Sequence, residues 1–393
     1  MEVRAGYKQT EVGAIPSDWD SASVLDLVDP TSPICYGVVQ VGKYVDSGVP
    51  IVAIKYVKEI AHAPLHRTAA CLEKPYARSR VNEGDVLISI KGTIGRVGIV
   101  PKGFEGNISR ELARLRIRGG TCSEYVAHQL ESDATQERIM RTVVGTTRLE
   151  FSIAALRQFQ LPIPPTVAEQ RAIATALSDV DALLDGLTRL IAKKRDLKQA
   201  TMQQLITGQT RLPGFSGAWD EKRLGDIARV QKGQLVTART LVPGNIPVIA
   251  GGRQPAYFHA TANRQGKTIT VSASGASAGY LAFHSSPIFA SDCSTISESE
   301  GYCIEFLFYA LLLRQDEIYA AQTGGAQPHV QPKDLAPLFI GLPVDLPEQT
   351  AIAAVLSDMD AELAALEARL TKTRALKQAM MSELLTGKTR LPT

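Results

Sequence analysis

The sequence predicts an α+β protein in which two mixed α/β domains are separated by a pair of long antiparallel coiled-coil helices, related by a pseudo-twofold internal repeat. Three observations predict this fold. A block of sequence occurs twice, each copy carries a heptad pattern of apolar residues, and the segments between the copies contain short β-like runs bounded by glycine.

The duplicated block is the strongest feature of the chain. LITGQTRLP at 205–213 is repeated as LLTGKTRLP at 384–392, and the copies align at a constant offset of 179 residues. From residue 169 to residue 213, 26 of 45 positions are identical to their counterparts. Outside the block, AWDEKRLGDI around Trp219 matches DWDSASVLDL around Trp19. The chain therefore contains two units, each with a variable part followed by a nearly identical part.

Each copy of the block is predicted to form a long helix. Apolar residues recur at spacings of 4-3-4-3-4 in both copies, which is the seam of a coiled coil. The seam residues are Ile173, Leu177, Val180, Leu184, Leu187 and Ile191 in the first copy, and Ile352, Leu356, Met359, Leu363, Leu366 and Leu370 in the second.

The ends of these helices are also marked in the sequence. Thr166 to Glu169 has the pattern of a capping box, and Asp345 to Glu348 is its counterpart. Gly208 and Gly387 stand where a helix C-terminus favours glycine. Each helix would have about 40 residues and a length of roughly 60 Å. A parallel pair would require residues 209–344 to carry the chain back over that length, so antiparallel packing is favoured.

The variable parts are predicted to be mixed α/β and to bind a polyanion. Glycine-bounded runs such as DVLISI and KTITVSA are β-like, whereas EYVAHQLESDATQERIM is helix-like. The net charge is only +3, but residues 222–284 contain eight Lys or Arg and one acidic residue, and residues 78–118 contain nine against four. A basic region in each variable part is typical of a protein that binds nucleic acid.

Two kinds of local pattern in the variable parts leave alternatives open. In RLRIR, Arg114, Arg116 and Arg118 alternate with apolar residues, so a strand would place three guanidinium groups on one face, either solvated or in contact with phosphate. The glycine-rich segments 91–98 and 274–279 permit close approach of a ligand to the backbone, but they also fit tight β-turns.

Catalytic and metal-binding motifs are not convincing. Gly275–Gly279 formally matches GxSxG, yet it lies in a glycine-rich β region and the aligned GTIG of the other unit has no serine. TGKT at 386–389 lacks the first glycine of a phosphate loop, because Ser382 occupies that position. We therefore predict no catalytic residues.

The cysteines and histidines give no better case for a metal. His62, His66 and Cys71 lack a fourth ligand, and none of the five cysteines forms a CxxC pair, so free buried thiols are favoured. No apolar run approaches the roughly 20 residues of a membrane span, and the N-terminus lacks a signal-peptide pattern. We predict no metal site, no membrane contact and a reduced, cytoplasmic protein.

The phrases LPIPPTVAEQRAIATALSDVD and LPVDLPEQTAIAAVLSDMD, with the duplicated capped helices and two diverged basic domains, resemble the specificity (S) subunit of type I restriction-modification systems. The resemblance covers the whole chain. It implies four segments: target recognition domain 1 with the N-terminal segment at 1–162, spacer helix 1 at 163–208, target recognition domain 2 at 209–342, and spacer helix 2 with the C-terminal tail at 343–393. In one departure, Asp345 takes the place of the Pro-Thr of the first copy, which alters the cap.

The resemblance also implies partners. Each recognition domain would read one half of an asymmetric bipartite site on double-stranded DNA, while the helix pair fixes the spacer between the halves. Two methylation (M) subunits would dock on the helices, and restriction (R) subunits would join through them. The chain itself would be non-catalytic and bind no cofactor, with S-adenosylmethionine, ATP and Mg expected on the partner subunits.

The candidate DNA-binding residues lie in or beside the glycine-rich turns and basic stretches. They are Lys91, Thr93, Arg96, Arg110, Arg114 and Arg116 in the first domain, and Arg253, Lys267, Ser274 and Ser277 in the second. Glu169, Gln170, Glu348 and Gln349 are expected to begin the helices, with partner docking as a secondary possibility.

Two other functions remain open at this stage. The chain could be a protein-only coiled-coil assembly scaffold that does not read DNA sequence, in which case its affinity for DNA would depend weakly on salt. It could also be a hydrolase that uses Ser277, in which case Ser277→Ala would abolish turnover.

Overall fold

The computed structural model describes residues 5–143, 149–237, 239–324 and 327–392. The chain divides into two units. Unit 1 comprises residues 1–186 and 370–393, and unit 2 comprises residues 187–369. Each unit thus contains one variable part of the sequence together with a section of each duplicated block.

Unit 1 is built mainly from short strands, listed here with its helices. The strands are β1 (Tyr7–Thr10), β2 (Gly13–Pro16), β3 (Asp20–Ser23), β4 (Cys35–Tyr36), β5 (Val49–Val52), β6 (His66–Thr68), β7 (Val86–Ser89), β8 (Val97–Ile99), β9 (Asn107–Ile108), β10 (Leu112–Leu115) and β11 (Gln160–Ile163). The helices are α1 (Val24–Leu27), α2 (Ala70–Glu73), α3 (Ser123–Glu131), α4 (Asp133–Thr142), α5 (Ile153–Gln158) and α6 (Val167–Ile206), which continues into unit 2. Short 3-10 turns occupy Ile54–Tyr56, Ile60–His62 and Lys74–Ser79.

A four-stranded antiparallel sheet of order β4-β10-β7-β8 forms the centre of unit 1. Beside it, β5 pairs antiparallel with β6 and parallel with β9, while β3 pairs with β11 and β1 with β2. Val86, Ile88 and Ala113 of the central sheet share one core with Val126 and Leu130 of α3. Burial of each large aliphatic side chain in such a core contributes roughly 1.5–3 kcal/mol.

Unit 2 contains the following elements. The strands are β12 (Trp219–Arg223), β13 (Gln231–Lys232), β14 (Pro243–Ile249), β15 (Tyr257–His259), β16 (Thr268–Ser272), β17 (Leu281–His284), β18 (Phe289–Ala290), β19 (Cys293–Ser297) and β20 (Phe339–Pro343). The helices are α7 (Leu224–Ile227), α8 (Ile304–Leu313), α9 (Gln315–Ala320), α10 (Pro332–Leu335) and α11 (Leu346–Leu384), whose last residues belong to unit 1, and Gly275–Ser277 is a 3-10 turn.

The strand order of unit 2 repeats that of unit 1. A four-stranded sheet of order β13-β19-β16-β17 corresponds to β4-β10-β7-β8, and β15-β14-β18 corresponds to β6-β5-β9, including one parallel pair in each. The terminal pair β12-β20 corresponds to β3-β11. The duplication therefore extends through the diverged parts of the chain, where the sequences are only loosely similar.

The two duplicated blocks form helices of 40 and 39 residues, α6 and α11. All twelve seam residues are buried or half-buried, which confirms the prediction that this face packs inward. Gly208 and Gly387 follow the helices with φ of +70° and +68°, a backbone conformation that favours glycine. In the described part of the chain, no helix is long and apolar enough to cross a membrane.

Within each unit, the two long helices run antiparallel. In unit 1, Lys377 Nζ lies 2.6 Å from Asp181, and the earlier Leu177 shares a core cluster with the later Leu384. In unit 2, Lys198 pairs with Asp360, and the earlier Lys194 pairs with the later Glu362. Positions 181 and 360, like 198 and 377, are 179 residues apart. The same ion pair is therefore made once in each unit, between an early position of one helix and a late position of the other.

In each unit, the glutamine at the start of a long helix is hydrogen-bonded to the backbone of the neighbouring domain. In unit 1, Gln170 Oε1 accepts a hydrogen bond from the backbone N–H of Cys122 at 2.9 Å, and its Nε2 donates to the carbonyl of Pro164 at 3.2 Å. In unit 2, Gln349 binds Cys303 N–H at 2.9 Å and the carbonyl of Pro343 at 2.8 Å. Since Cys122 and Cys303 are the N-cap residues of α3 and α8, the same clamp is built twice.

In each unit, the glutamate at the start of a long helix forms an ion pair with the arginine of a TRLP motif. Arg211 donates to both carboxylate oxygens of Glu348 at 2.6 and 2.7 Å, and its guanidinium lies 5.6 Å from the ring centroid of Trp219. Arg390 binds Glu169 in unit 1 in the same way and lies 5.7 Å from the ring of Trp19. We call these groups the latches of units 2 and 1.

The latch of unit 1 has one further carboxylate. Arg390 donates to both oxygens of Asp18 at 3.0 Å, and this hydrogen bonding holds the pKa of the Asp18 carboxyl below its usual value. Each latch explains why TRLP and the Trp-Asp segment recur together in the sequence.

All four helix-start residues are buried within their own unit. Glu169, Gln170, Glu348 and Gln349 are at most 4% exposed. Their place in the first turn of α6 and α11 agrees with the predicted helix-start role, and Thr166 Oγ1 accepts from Glu169 N–H at 3.2 Å as a capping residue should. The secondary expectation of partner docking is corrected, because their polar atoms are occupied inside the chain.

Candidate nucleic-acid interface

The central strands of unit 1 end in loops that are hydrogen-bonded to one another. Val38 N–H donates to the carbonyl of Ile108 at 2.8 Å, Arg110 N–H donates to that of Val38 at 3.0 Å, and Ile90 N–H donates to that of Glu111 at 2.8 Å. We define edge 1 as residues 36–40, 90–94 and 109–111, which these bonds bring together.

Unit 2 has the same construction. Gln234 N–H donates to the carbonyl of Ala290 at 2.9 Å, Ser291 N–H to that of Ile249 at 2.7 Å, and Ala273 N–H to that of Asp292 at 3.1 Å. We define edge 2 as residues 232–236, 250–254, 273–277 and 291–292.

A glycine begins the first loop of each edge because no side chain fits. A Cβ atom on Gly37 would lie 1.8 Å from the carbonyl oxygen of Ile108, and one on Gly233 would lie 2.2 Å from that of Ser291. Two diverged loops thus keep one backbone arrangement, and the side chains that follow each glycine are free to differ.

Three of the residues predicted from the sequence lie on edge 1. The Lys91 ammonium lies 3.3 Å from Glu150 and 6.0 Å from the ring centroid of Tyr36. Thr93 is exposed in the glycine-rich turn, and the exposed Arg110 donates from Nε to Glu111 at 3.1 Å. Edge 1 therefore presents two cations, each of which forms an ion pair with a nearby acidic residue.

Three others lie on edge 2. Arg253 is exposed and its guanidinium lies 5.1 Å from the ring centroid of Tyr280. The half-buried Ser274 donates from Oγ to the carboxylate of Asp292. Ser277 closes the 3-10 turn between β16 and β17, which is not the strand-to-helix elbow that a GxSxG nucleophile occupies.

Arg114 must be removed from the predicted set. It is 2% exposed in β10, the strand between β4 and β7, and donates to Ser32 Oγ at 3.2 Å and to the carbonyl of Pro33 at 3.1 Å. All four residues of β10 are buried, so both faces of this strand are covered and the alternating arginines of RLRIR do not form one solvated or phosphate-binding face.

Arg116 and Lys267 lie at the other end of their sheets from the two edges. Arg116 follows β10 and donates to both carboxylate oxygens of Asp85 at 2.9 and 2.8 Å, which raises its pKa. Lys267 precedes β16, whereas Ser274 follows it, and its hydrogen bond with Glu305 at 2.5 Å raises its pKa. Both cations are committed to intramolecular pairs away from the loops.

Arg96 faces a different surface. It lines a groove of about 730 Å³ in unit 1 together with Lys55, Lys58, Arg374 and Lys377. Glu59, Glu131 and Asp133 also line this groove, so its charge is mixed. Contact with DNA by any of the candidate residues stays a prediction.

Sequence reasoning missed several edge residues. Gln40, Gln234 and Gln254 are exposed there, and amide side chains suit base recognition. Gln40 lies three residues after Gly37, and Gln234 lies one residue after Gly233. This similarity can be recognised only when the two glycines are known to occupy corresponding positions in the two units.

The structure also bears on the metal and thiol predictions. Within the described ranges, no group of three or more His, Cys, Asp or Glu side chains is placed to hold a metal ion. The five thiols are free, and Cys71 is exposed, contrary to the expectation that all are buried.

A matched pair of substitutions distinguishes the edge from the rest of unit 2. We expect Arg253→Ala to weaken binding to the target DNA roughly 5- to 150-fold, since one bidentate base contact provides about 1–3 kcal/mol of discrimination. Lys267→Met removes the same charge at the opposite end of β16 and should leave binding nearly unchanged. Fluorescence anisotropy at fixed salt measures both, and equal losses would show that edge 2 has no special part in binding.

Comparison with known proteins matches each copy of the internal repeat separately. A family model for the type I restriction modification DNA specificity domain matches residues 46–195 and again residues 217–374. The chain is 25% identical over 202 residues to the EcoBI specificity subunit of a type I restriction enzyme from Escherichia coli, covering 50% of this chain and 42% of that protein. It thus spans less than half the length of that relative.

Other relatives align over more of their length. A MjaX specificity subunit of a putative type I restriction enzyme from Methanocaldococcus jannaschii is 23% identical, over 98% of this chain and 97% of that protein. Among solved structures, the S subunit of a type I restriction-modification system from M. genitalium superposes with a TM-score of 0.68 at 17% identity, covering 98% of each chain. This superposition shows a shared fold.

Proposed function

The chain belongs to the type I restriction modification DNA specificity family, and from this premise we propose that it is the subunit that selects the DNA sequence on which a restriction-modification complex acts. Each unit would read one half of an asymmetric bipartite site. One observation carries the proposal. Both units have the same strand order and the same hydrogen-bonded loops at one end of the sheet, but the side chains on those loops differ between the units.

The chemistry of the edges fits two different half-sites. Edge 1 offers the cations Lys91 and Arg110 with the polar side chains of Gln40 and Thr93. Edge 2 offers one cation, Arg253, with the polar or acidic side chains of Gln234, Gln254, Ser274 and Asp292. Lys and Arg supply attraction to phosphate without sequence preference, whereas amide, hydroxyl, carboxylate and guanidinium groups distinguish base edges. Since the two sets differ, the two halves of the site should differ in sequence.

The long helices would carry the remaining functions of the family. We propose that α6 and α11 fix the number of unspecified base pairs between the half-sites and provide docking surfaces for two methylation subunits, through which restriction subunits join. S-adenosylmethionine, ATP and Mg would be bound by those partners, and this chain would supply no catalytic group.

Salt dependence separates a DNA reader from a protein-only scaffold. For a chain that neutralises Z phosphates, the logarithm of the binding constant falls with the logarithm of salt concentration with a slope of about −0.9Z. With about six such contacts, affinity for duplex DNA should fall roughly 10³-fold between 50 and 200 mM salt. A nearly flat dependence, together with equal affinity for all sequences, would favour the scaffold.

A further inference from the structure

Edge 2 contains a carboxylate that forms no ion pair with the residues that the structure describes. Asp292 is half-buried immediately before β19, and within the described residues its hydrogen bond is with Ser274 Oγ and no ion pair involves it. A carboxylate has about four lone-pair sites, so acceptor capacity remains after the serine is satisfied. Asp292 belongs to edge 2, the surface proposed to meet DNA.

The backbone around Asp292 holds the carboxylate in place. A Cβ on Gly251 would lie 3.3 Å from Asp292 Oδ2 and 2.8 Å from the carbonyl oxygen of Ser274, so the 250–254 loop packs directly on this pair. Ser272 Oγ donates to the carbonyl of Gly251 at 2.8 Å and fixes that loop. Arg253 follows two residues later and rests on Tyr280. Edge 2 therefore carries a positioned acceptor, Asp292, and a forked donor, Arg253, on the neighbouring 250–254 loop.

The acidic residues on and beside edge 1, unlike Asp292, are paired with cations. Glu111, which precedes β10 as Asp292 precedes β19, accepts from Arg110, and Glu150 pairs with Lys91. A free carboxylate near DNA is repelled by phosphate, so leaving one unpaired has a cost unless it accepts a hydrogen bond from a base. In the major groove, Asp and Glu accept from the N4 amino group of cytosine, and Arg donates to O6 and N7 of guanine.

We propose that Asp292, positioned by Ser274, is a specificity-determining residue that accepts a hydrogen bond from the amino group of a cytosine in the half-site read by unit 2. Arg253, on the loop that packs against Asp292 through Gly251, would donate to a guanine in the same half-site. The inference rests on the proposed function and adds the base class that one half of the site must contain.

The test uses Asp292→Asn, which changes the charge and the hydrogen-bonding pattern of this side chain. The full chain is combined with a type I methylation subunit and S-adenosylmethionine, and methylated sites are mapped in a random-sequence DNA library for the wild type, Asp292→Asn and Asp316→Asn. Asp316 is an exposed acid of unit 2 in the first turn of α9, so it controls for loss of one negative charge. We expect Asp292→Asn to lose preference for one cytosine by roughly 5- to 150-fold, while the other half-site and the control variant keep the wild-type motif.

Ser274→Ala keeps the carboxylate but removes its hydroxyl partner, so it should relax the same position by a smaller factor. This variant also covers the case in which Asp292→Asn does not fold. A bipartite wild-type motif that neither variant changes would overturn the role of Asp292, and so would an equal change in Asp316→Asn. Absence of any bipartite motif in the wild type would instead contradict the proposed function itself.

Discussion

Replacement of Arg211 by methionine is expected to lower the free energy of unfolding of unit 2 by about 3 kcal/mol, because removing one partner of a buried ion pair leaves an uncompensated charge. Glu348 is 0% exposed, and both of its carboxylate oxygens accept from Arg211. About a quarter of the Arg211 side chain reaches solvent, at 27%, which places the expected loss at the lower end for such pairs. Methionine retains packing against Trp219, so the loss reports mainly the charge.

The measurement is urea denaturation followed by tryptophan fluorescence. The chain has two tryptophans, so a Trp19→Phe background makes Trp219 the reporter of unit 2. Arg195→Met is the matched control, since the Arg195–Glu367 pair joins side chains that are 62% and 47% exposed and should contribute less than about 1 kcal/mol. Equal losses in the two variants would show that the latch is no stronger than a surface ion pair.

Gln349→Leu is expected to cost about 3 kcal/mol and to loosen the attachment of α8 to α11. Two backbone groups, the part-buried N–H of Cys303 and the buried carbonyl of Pro343, would lose their partners, and each unsatisfied group costs about 1–3 kcal/mol. Hydrogen exchange should show faster exchange at the Cys303 amide and the first turn of α8. Gln203→Leu, an exposed position on α6, is the control and should alter neither stability nor exchange by a measurable amount.

A result in which Gln349→Leu accelerates exchange throughout unit 2, with no excess at the start of α8, would contradict the clamp. The corresponding change in unit 1, Gln170→Leu, should act in the same way at Cys122 and α3, because its two hydrogen bonds have the same backbone partners.

The parts of the fold that follow local periodicity could be predicted from the sequence. The twelve seam residues, the helix starts at Glu169 and Glu348, and the terminal glycines Gly208 and Gly387 all depend on spacing along one segment of chain. The latches could not be predicted, since Arg211 and Glu348 are 137 residues apart and Arg390 and Glu169 are 221 apart. Such pairs are fixed by tertiary packing, although the recurrence of TRLP and Trp-Asp indicated that both segments matter.

The candidate site could be predicted only in part, for a related reason. The glycine-rich turns drew attention to Lys91 and Ser274, which lie on the two edges, while their contact with DNA stays a prediction. Composition could not indicate that Lys267 lies at the opposite end of β16, or that Arg114 lies in a central strand. A basic stretch gives the number of cations, whereas strand order determines which of them share a surface. The boundaries of the four segments and the DNA contacts stay predictions.

The most direct test of the central claim is a map of methylated sites. The purified chain, a type I methylation subunit and S-adenosylmethionine are incubated with a random-sequence DNA library, and the modified positions are sequenced. If two units read DNA through two different edges, the map will show two short, different motifs at one fixed separation. Methylation without a motif, or no methylation despite a stable complex, would contradict the claim and favour the scaffold.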